Sequence, residues 1–347
     1  MGVVQISVTM QQIADMVGVS RGTVDRAMHN RGRVNPEIAE KIAQTARELG
    51  YQTNMIGQAL SRSKRDFKLG AILQSIETPT IQDILQSMKQ ADADLRSAGI
   101  ELLLYEVQGV NANKVLKHID SLVAEGVQGI AIMPIDDPAV VKRIDVLQEQ
   151  GIPVVTLNSD ISDSRRICFV GMDNYRAGQT AAWLMCQMLP SESKVFIVAG
   201  HPNNTAHINR LNGFLEVIAA ERGKDIKLLP FQSCFDRDDY AHDATQRVLR
   251  EHPDLSAIYV TSYGQGGVCQ AIEEERCTGK IKVLAYDLNI LNRRLLEEGK
   301  LSFVIDQGAF EQGYRPLQIL SDFLLYNKVP EKQLLYTDIS IRTKYNI

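Results

Sequence analysis

Two short segments near the start of the chain carry apolar residues at helical spacing. Gly18 to Ser20 separates them and supplies a glycine where the chain must reverse. Ser20 stands where the N-cap of the second helix is expected, and Thr9 with Gln12 fits a capping box for the first. The pattern predicts two helices joined by a tight turn, the arrangement of a helix-turn-helix. The apolar positions are Ile13, Ala14, Val17, Val24, Ala27 and Met28.

A third helix is predicted to begin at Asn35-Pro36, with asparagine as its cap and proline at the first helical position. Its apolar residues predict one inner stripe made of Ile38, Ile42, Ala43 and Ala46. Residues 54–65 follow as a short polar helix in which Leu60 is the largest late apolar residue.

From Lys68 onward the pattern changes to short apolar runs that alternate with amphipathic helices. Nearly all the runs lack in–out alternation, which favours strands buried on both faces of a mostly parallel sheet covered by helices. Ten strands are too many for one compact domain, and the polar stretch Val170 to Asn174 suggests a division into two lobes. The ten runs are LGAIL, ELLLYE, GIAIMP, IPVVTL, ICFVG, KVFIV, KLLPF, AIYVT, KVLAY and LSFVI.

Charge is distributed unevenly along the 347 residues. Residues 1–65 hold nine Lys or Arg and five Asp or Glu, a net charge of +4, while the whole chain carries −4, which leaves −8 on the rest. A basic head on an acidic body fits a head that meets phosphates, although a charge of this size also fits a solvated surface.

Cysteine usage and hydropathy argue against several classes of protein. The five cysteines, an odd number without a C-x-x-C pair, argue against a disulfide framework and a zinc site and favour buried or inert thiols. No apolar leader segment precedes a cleavage site, and no apolar run approaches the ~18 residues needed to span a bilayer. The sequence therefore predicts a cytoplasmic protein.

An enzymatic interpretation finds little support. The segment Gly264 to Cys269 resembles a dinucleotide loop only faintly, because the third glycine of that fingerprint falls on Cys269. There is no nucleophile-elbow pentapeptide, no phosphate-binding Walker loop and no metal-binding histidine spacing. We expect no catalytic residues, no cofactor and no metal, and we expect His201, His207 and His252 to lie on loops or helix surfaces.

Three sequence segments follow one another near the N-terminus: GVSRGTVDRAM, RVNPEIAEKI and ELGYQTN. They resemble the LacI (lac repressor) family of bacterial transcription regulators over roughly residues 8–62. The resemblance implies a helix-turn-helix DNA-binding head at 1–53, a hinge helix and linker at 54–66, and an effector-binding core at 67–347. It also implies that Leu60 is a minor-groove wedge, although Leu60 packing on the body is the alternative. The implied DNA-binding residues are Thr9, Ser20, Arg21, Gly22, Thr23, Asp25, Arg26, His29, Asn54 and Leu60.

The implied core is periplasmic-binding-protein-like, α/β, with two Rossmann-like parallel sheets. One lobe spans about 67–172 and 308–336, and the other about 173–307 and 337–347. In open α/β sheets ligands bind beyond the carboxyl ends of the strands. By resemblance, the polar residues at those ends are effector contacts: Thr78, Asn158, Asp160, Arg210, Ser262, Asp287 and Gln307.

Arg210 and Asp287 have the clearest chemical role, because guanidinium and carboxylate each take two hydroxyls of a polyol. Structural roles are also open: Asp287 or Ser262 as a helix cap, and Asn158 as a turn residue. Pentose-binding relatives often have Asp-Arg where this chain has Asn158-Ser159, which weakens a prediction of ribose.

We therefore predict a DNA-binding transcriptional repressor, a homodimer or larger homo-oligomer, controlled by a sugar, polyol or sugar acid. A first alternative keeps the regulator but has a purine corepressor, for which only Tyr263 and Phe235 offer aromatic stacking. A second alternative is a sugar-binding transport component, which the helix-turn-helix and the missing leader disfavour.

Overall fold

A computed structural model of the protein describes residues 10–28, 32, 34–49, 67–220 and 225–347. The chain divides into two compact units, Met1–Lys64 and Arg65–Ile347. The predicted contacts Thr9, His29, Asn54 and Leu60, and the predicted hinge helix, lie outside the described residues.

The first unit contains the predicted helix-turn-helix, with helices α1 (Met10–Val17), α2 (Arg21–Met28) and α3 (Pro36–Glu48). Gly18 lies between the first two helices with φ +78°, a left-handed conformation that favours glycine. The carboxamide of Asn35 accepts a 2.9 Å hydrogen bond from the Glu37 amide, as predicted for a cap. The small core of this unit consists of Ile13, Ala14, Val24, Ile42 and Ala46.

The prediction is wrong for one residue of the inner stripe of α3. Ala43 is exposed, whereas Ile42 and Ala46 are buried and Ile38 packs against them. The reason is the helical period: position 43 lies one residue beyond Ile42, about 100° around the helix, and so leaves the face that meets α1 and α2.

The second unit alternates strands with helices. Its described strands are β1 (Phe67–Gln74), β2 (Ile100–Val107), β3 (Ile130–Ile132), β4 (Val154–Leu157), β5 (Cys168–Met172), β6 (Lys194–Ala199), β7 (Lys227–Leu228), β8 (Gln232–Ser233), β9 (Leu255–Val260), β10 (Lys282–Tyr286), β11 (Phe303–Asp306), β12 (Leu334–Thr337) and β13 (Ser340–Arg342). Its described helices are α4 (Pro79–Ser97), α5 (Ala112–Ala124), α6 (Pro138–Glu149), α7 (Asn174–Met188), α8 (Thr205–Ala220), α9 (Asp238–Glu251), α10 (Gln265–Glu274), α11 (Ile290–Glu297) and α12 (Ala309–Tyr326).

The strands form two sheets. The first has the order β12-β5-β4-β3-β1-β2, and all its neighbours are parallel. The second has the order β13-β11-β10-β9-β6-β7 with β8 beside β6, and only β13 pairs antiparallel among its described strands. We call these sheets with their covering helices the first and second lobes. Within the described residues the chain passes between the lobes after β5, after β11 and after β12.

Apolar layers cover both faces of each sheet, as continuous apolar strands require. In the first lobe, Leu73 and Val155 pack towards α4 and α12, while Ile72 and Ile132 pack towards α5 and α6. The second lobe has the same two-layered core, around Phe196 on one face and Tyr259 on the other.

All ten predicted apolar runs form strands, and three short strands escaped prediction. β8, β12 and β13 have two to four residues with no fully buried position. Four of the five cysteines are buried and none is bonded to another, as expected. Among the described helices, none is long and apolar enough to cross a membrane.

Candidate functional site

Polar side chains from both lobes meet where the parallel strands end, around a cavity of about 40 Å³. Six of the seven residues predicted at strand ends line it. They are Thr78, Asn158, Arg210, Ser262, Asp287 and Gln307, and the cavity is completed by Ser75, Thr80, Ile81, Met133, Asn204, His207, Asp236 and Tyr263.

Arg210 is a buried cation whose nitrogens are all engaged. Its Nε donates to Asn174 Oδ1 at 2.7 Å, Nη1 to the Thr261 carbonyl at 3.0 Å and Nη2 to Gln307 Oε1 at 3.1 Å. The guanidinium carbon lies 3.9 Å from the centre of the Tyr286 ring, a cation–π contact. A buried charge is tolerated only with such partners, so the guanidinium is held in one orientation.

Two glycines bring the helix that carries Arg210 close to its neighbour α7. A Cβ on Gly178 would lie 2.1 Å from the Arg210 carbonyl oxygen, and a Cβ on Gly213 would lie 2.1 Å from the Tyr175 carbonyl oxygen. Real Cβ atoms cannot approach a backbone oxygen that closely. The two backbones can therefore pack as they do only with glycine at these positions, and this packing sets the position of Arg210.

Asp287 follows β10 with φ +75° and lies half-buried near Arg210. Its Oδ2 accepts from Thr80 Oγ1 at 2.7 Å, and its Oδ1 accepts from Gln307 Nε2 at 2.5 Å. Burial raises the pKa of this carboxyl group, and Arg210 and the two hydrogen bonds oppose that rise. Asp287 is not the cap of the next helix, because Asn289 caps α11.

Gln307 is the hub of the hydrogen bonds at the base of the cavity. Its Oε1 accepts from Arg210, from Asn158 Nδ2 at 3.3 Å and from Gln312 Nε2 at 3.2 Å. Its backbone oxygen accepts from the Thr337 hydroxyl at 2.7 Å. Because Gln307 and Thr337 lie where the chain passes between the lobes, these bonds tie the floor of the cavity to the crossing segments.

Further hydrogen bonds join the two lobes across the cleft. The Asp136 amide donates to the Asn203 carbonyl at 3.2 Å. The Thr205 hydroxyl donates to the Asp160 carbonyl at 2.7 Å and lies 2.7 Å from Ser159 Oγ. Together with the Thr80 bond to Asp287, these contacts hold the lobes against each other.

Asp160 is the one predicted effector contact that the structure does not bring to this cavity. The Arg166 guanidinium binds its carboxylate through two charge-assisted hydrogen bonds, and the Thr156 hydroxyl donates to it at 2.7 Å. Asp160 instead lines a separate cavity of about 160 Å³ near Asp173 and Tyr336. Its carboxylate therefore holds together the segment that leaves β4.

Two cavity residues were not predicted as contacts. Asp236 follows the two-residue strand β8 with φ +57°, and its Oδ1 is buried without a hydrogen bond from any described residue. His207 lies on α8 and lines the cavity, where its Nδ1 accepts from the His201 amide at 3.0 Å. Burial lowers the pKa of His207 to about 4, so its ring is neutral at pH 7.

Aromatic side chains contribute little to the cavity. Tyr263 lines it and donates its hydroxyl to Asp238 at 2.7 Å. Phe235 is not part of the lining: it is 45% exposed and packs edge-on against His201 and Tyr240.

In the first unit, the polar residues of the second helix form an ordered surface. Ser20 Oγ accepts from the Thr23 amide at 3.1 Å, which confirms the predicted cap. Arg26 Nη2 donates to Thr23 Oγ1 at 3.3 Å. Arg21, Gly22 and Arg26 are exposed, and Thr23 and Asp25 are partly exposed. This exposed, basic helix N-terminus can meet phosphates and base edges.

A family model for bacterial regulatory proteins of the lacI family matches residues 9–54 of this chain, and a model for the periplasmic binding protein domain matches residues 69–328. The chain belongs to the lacI family. The predicted family and the predicted α/β fold class, with a helical head and a two-lobed core, are confirmed.

Both a transcriptional regulator and sugar-binding proteins resemble this lacI-family chain. The ribose import binding protein RbsB of Bacillus subtilis is 23% identical over 271 residues, which cover 78% of this chain and 85% of RbsB. The HTH-type transcriptional regulator AglR of Rhizobium meliloti is 26% identical over 259 residues, which cover 74% of this chain and 70% of AglR. A solute-binding protein from Burkholderia graminis, solved with D-arabinose, is 26% identical with a TM-score of 0.74 and covers 81% of this chain and 96% of its own.

Proposed function

We propose that this lacI-family regulator is a repressor that binds operator DNA and that a small sugar-like effector, bound between the two lobes, controls its DNA affinity. The observation that supports the proposal is the presence of both parts in one chain. An exposed recognition helix carries Arg21 and Arg26, and a polar cavity in the second unit gathers Arg210, Asp287 and Gln307 from separate elements.

For the DNA interface we propose a homodimer that presents two recognition helices to two half-sites. Arg21 and Arg26 contact base edges, and Ser20, Gly22, Thr23 and Asp25 contact the backbone or neighbouring bases. Thr9, His29, Asn54 and Leu60 extend this interface, and Leu60 serves as the minor-groove wedge. These assignments rest on the family resemblance and on the exposure of the second helix.

The small volume of the cavity suggests how an effector acts. About 40 Å³ holds roughly three water molecules, since one water needs about 10–15 Å³ measured in this way. A sugar is larger, so we propose that it binds with the lobes further apart than they are here. It then replaces the contacts that Asp287 makes with Thr80 and that Asn203 makes with Asp136. A ligand changes DNA affinity only to the extent that it favours one lobe arrangement over the other.

The alternatives fit the described residues less well. A purine corepressor needs stacking partners, and Tyr263 is the aromatic residue among those that line the cavity. A transport component has no use for the helix-turn-helix, although this chain is also similar to the ribose import binding protein RbsB. We propose no reaction at this cavity.

The test uses the full-length protein and its DNA. Operator sequences are selected from random duplexes, and affinity is then measured by fluorescence anisotropy with and without each member of a sugar and polyol library. An effector at ~100 times its dissociation constant raises stability by about 2.7 kcal/mol, which a thermal-shift screen detects first. Failure to select any preferred DNA sequence would overturn the assignment of a repressor.

A further inference from the structure

The cavity has an unbalanced charge. Three of its lining side chains have a formal charge: one guanidinium, Arg210, and two carboxylates, Asp236 and Asp287. His207 does not change the balance, because its ring is neutral at pH 7. The described lining therefore carries one negative charge in excess, and burial makes such an excess costly unless a ligand compensates for it.

Arg210 and Asp287 already have their partners. Each of the three Arg210 nitrogens donates to a protein oxygen, and both Asp287 oxygens accept a hydrogen bond. Gln307 bridges the two, since it accepts from Arg210 and donates to Asp287. This pair compensates for itself and leaves Asp236 as the source of the excess.

Asp236 is also the group with an open hydrogen-bonding position. Its Oδ1 is buried and accepts nothing from the described residues. The guanidinium of the neighbouring Arg237 does not donate to this oxygen, because it pairs with Asp239 on an exposed surface. An ionised carboxylate is a pure acceptor, so whatever fills this position must be a donor.

We propose that the effector carries a protonated amine, as an amino sugar or amino polyol does, and that Asp236 binds that amine. This inference rests on the proposed function and narrows its ligand class. A hydroxyl would supply the missing donor only, whereas an ammonium supplies the donor and the missing positive charge. A sugar acid would place a third anion beside Asp236 and Asp287 and is therefore disfavoured.

Charges around the cavity point the same way. The carboxyl pKa of Asp83 is raised by burial and then by the nearby carboxylates of Asp287 and Asp306, which indicates a negative potential on that side of the cleft. Arg342 Nε lies 3.5 Å from Asp306 Oδ2, so the guanidinium offsets the charge of the Asp306 carboxylate. The raised pKa of Asp83 thus agrees with a surplus of carboxyl groups around Asp287.

The experiment compares matched ligands on the full-length protein at pH 7 by isothermal calorimetry. D-Glucose, D-galactose and D-mannose are each paired with the 2-amino sugar and with its N-acetyl derivative, and D-gluconate serves as the anionic probe. At least one amino sugar should bind roughly tenfold to a hundredfold more tightly than its neutral partner, the range expected for one charge-assisted hydrogen bond. The N-acetyl derivative, which has no charge, should lose this advantage without any change to the protein.

Asp236→Asn keeps the size of the side chain and removes the charge. It should abolish the preference for the amino sugar over its neutral partner. Asp239→Asn is the matched control, because Asp239 lies three residues away with its side chain 59% exposed, and it should preserve the preference.

The possible results separate the two proposals. If neutral sugars bind at least as tightly as their amino partners, the amine inference is wrong while the sugar-responsive regulator stands. Equal affinity of the amino sugar and its N-acetyl derivative would overturn the inference even if Asp236→Asn does not fold. If no sugar of any class binds, the proposed effector class fails together with the inference.

Discussion

Thr80 Oγ1 donates a 2.7 Å hydrogen bond to Oδ2 of Asp287, and this bond joins the two lobes across the cleft. Thr80 lies in the first turn of the first helix of the first lobe, and Asp287 directly follows a strand of the second. A separation of the lobes must therefore break a hydrogen bond to a half-buried carboxylate. Such a bond contributes about 1.5–3 kcal/mol.

Thr80→Val should lower the free energy of unfolding by roughly 1.5–3 kcal/mol, because valine fills the same space without a donor for Asp287. Urea unfolding followed by the fluorescence of the single tryptophan, Trp183, measures the change. Thr180→Val is the control, since its hydroxyl bonds to the Arg176 carbonyl on an exposed helix face. An equal effect of both substitutions would contradict a special role for the bond across the cleft.

Asp287→Ala should weaken effector affinity roughly ten- to a hundredfold and leave DNA affinity without effector nearly unchanged. The reason is that Asp287 faces the cavity while the head is a separate unit. Calorimetry with the effector and anisotropy with the operator test the two halves of this prediction. Loss of both activities would instead mean that removal of the carboxylate unfolds the core.

Arg26→Ala should abolish specific operator binding and spare effector binding, because Arg26 is exposed on the second helix and forms no part of the helical core. Arg21→Ala should relax base preference by roughly 1–3 kcal/mol at one position of each half-site. A gel-shift titration in which the Arg26 variant matches the wild type would show that this helix does not read the DNA.

Gly178→Ala should displace Arg210 without any change to a residue that lines the cavity. The added Cβ would meet the Arg210 carbonyl, so α7 and α8 must move apart at a cost of roughly 1–3 kcal/mol. We expect weaker effector binding, retained operator binding and a lower melting temperature. Full effector affinity in the variant would show that Arg210 is not positioned through this contact.

The sequence predicted the sheets well where strands are buried on both faces. The runs that became β1, β6 and β9 are continuous and apolar, and this signal needs no tertiary information. The strands β12 and β13 lie at sheet edges, where partly exposed side chains remove the apolar signal. Their place in the sheets depends on a chain path that local pattern does not encode.

The cavity was predictable from the rule that ligands meet the carboxyl ends of parallel strands, which located Asn158, Asp287 and Gln307. Their roles as effector contacts remain predictions. Asp236 was not predicted as a cavity residue, because it follows a two-residue strand without an apolar run. Asp160 was misplaced because Arg166, six residues later, folds back onto its carboxylate. Only the folded chain reveals such a pairing.

The neutral, partly buried His207 should make the protein less stable in acid. Its pKa is about 4 in the folded chain and 6.5 in the absence of burial, so between these values the unfolded chain binds a proton that the folded chain refuses. Stability should therefore fall as the pH drops from about 6.5 to about 4, by at most roughly 3 kcal/mol from this residue.

His207→Asn keeps an acceptor for the His201 amide and should flatten that loss in urea unfolding series at successive pH values. His242 offers the opposite case, because hydrogen bonds to Asp243 and Glu274 raise its pKa and its contribution is present at low pH and lost as the pH rises. His242→Gln should therefore steepen the acid loss that His207→Asn reduces. If both variants kept the slope of the wild type, the acid sensitivity would arise from other groups, and the burial of a neutral His207 in the cavity wall would be contradicted.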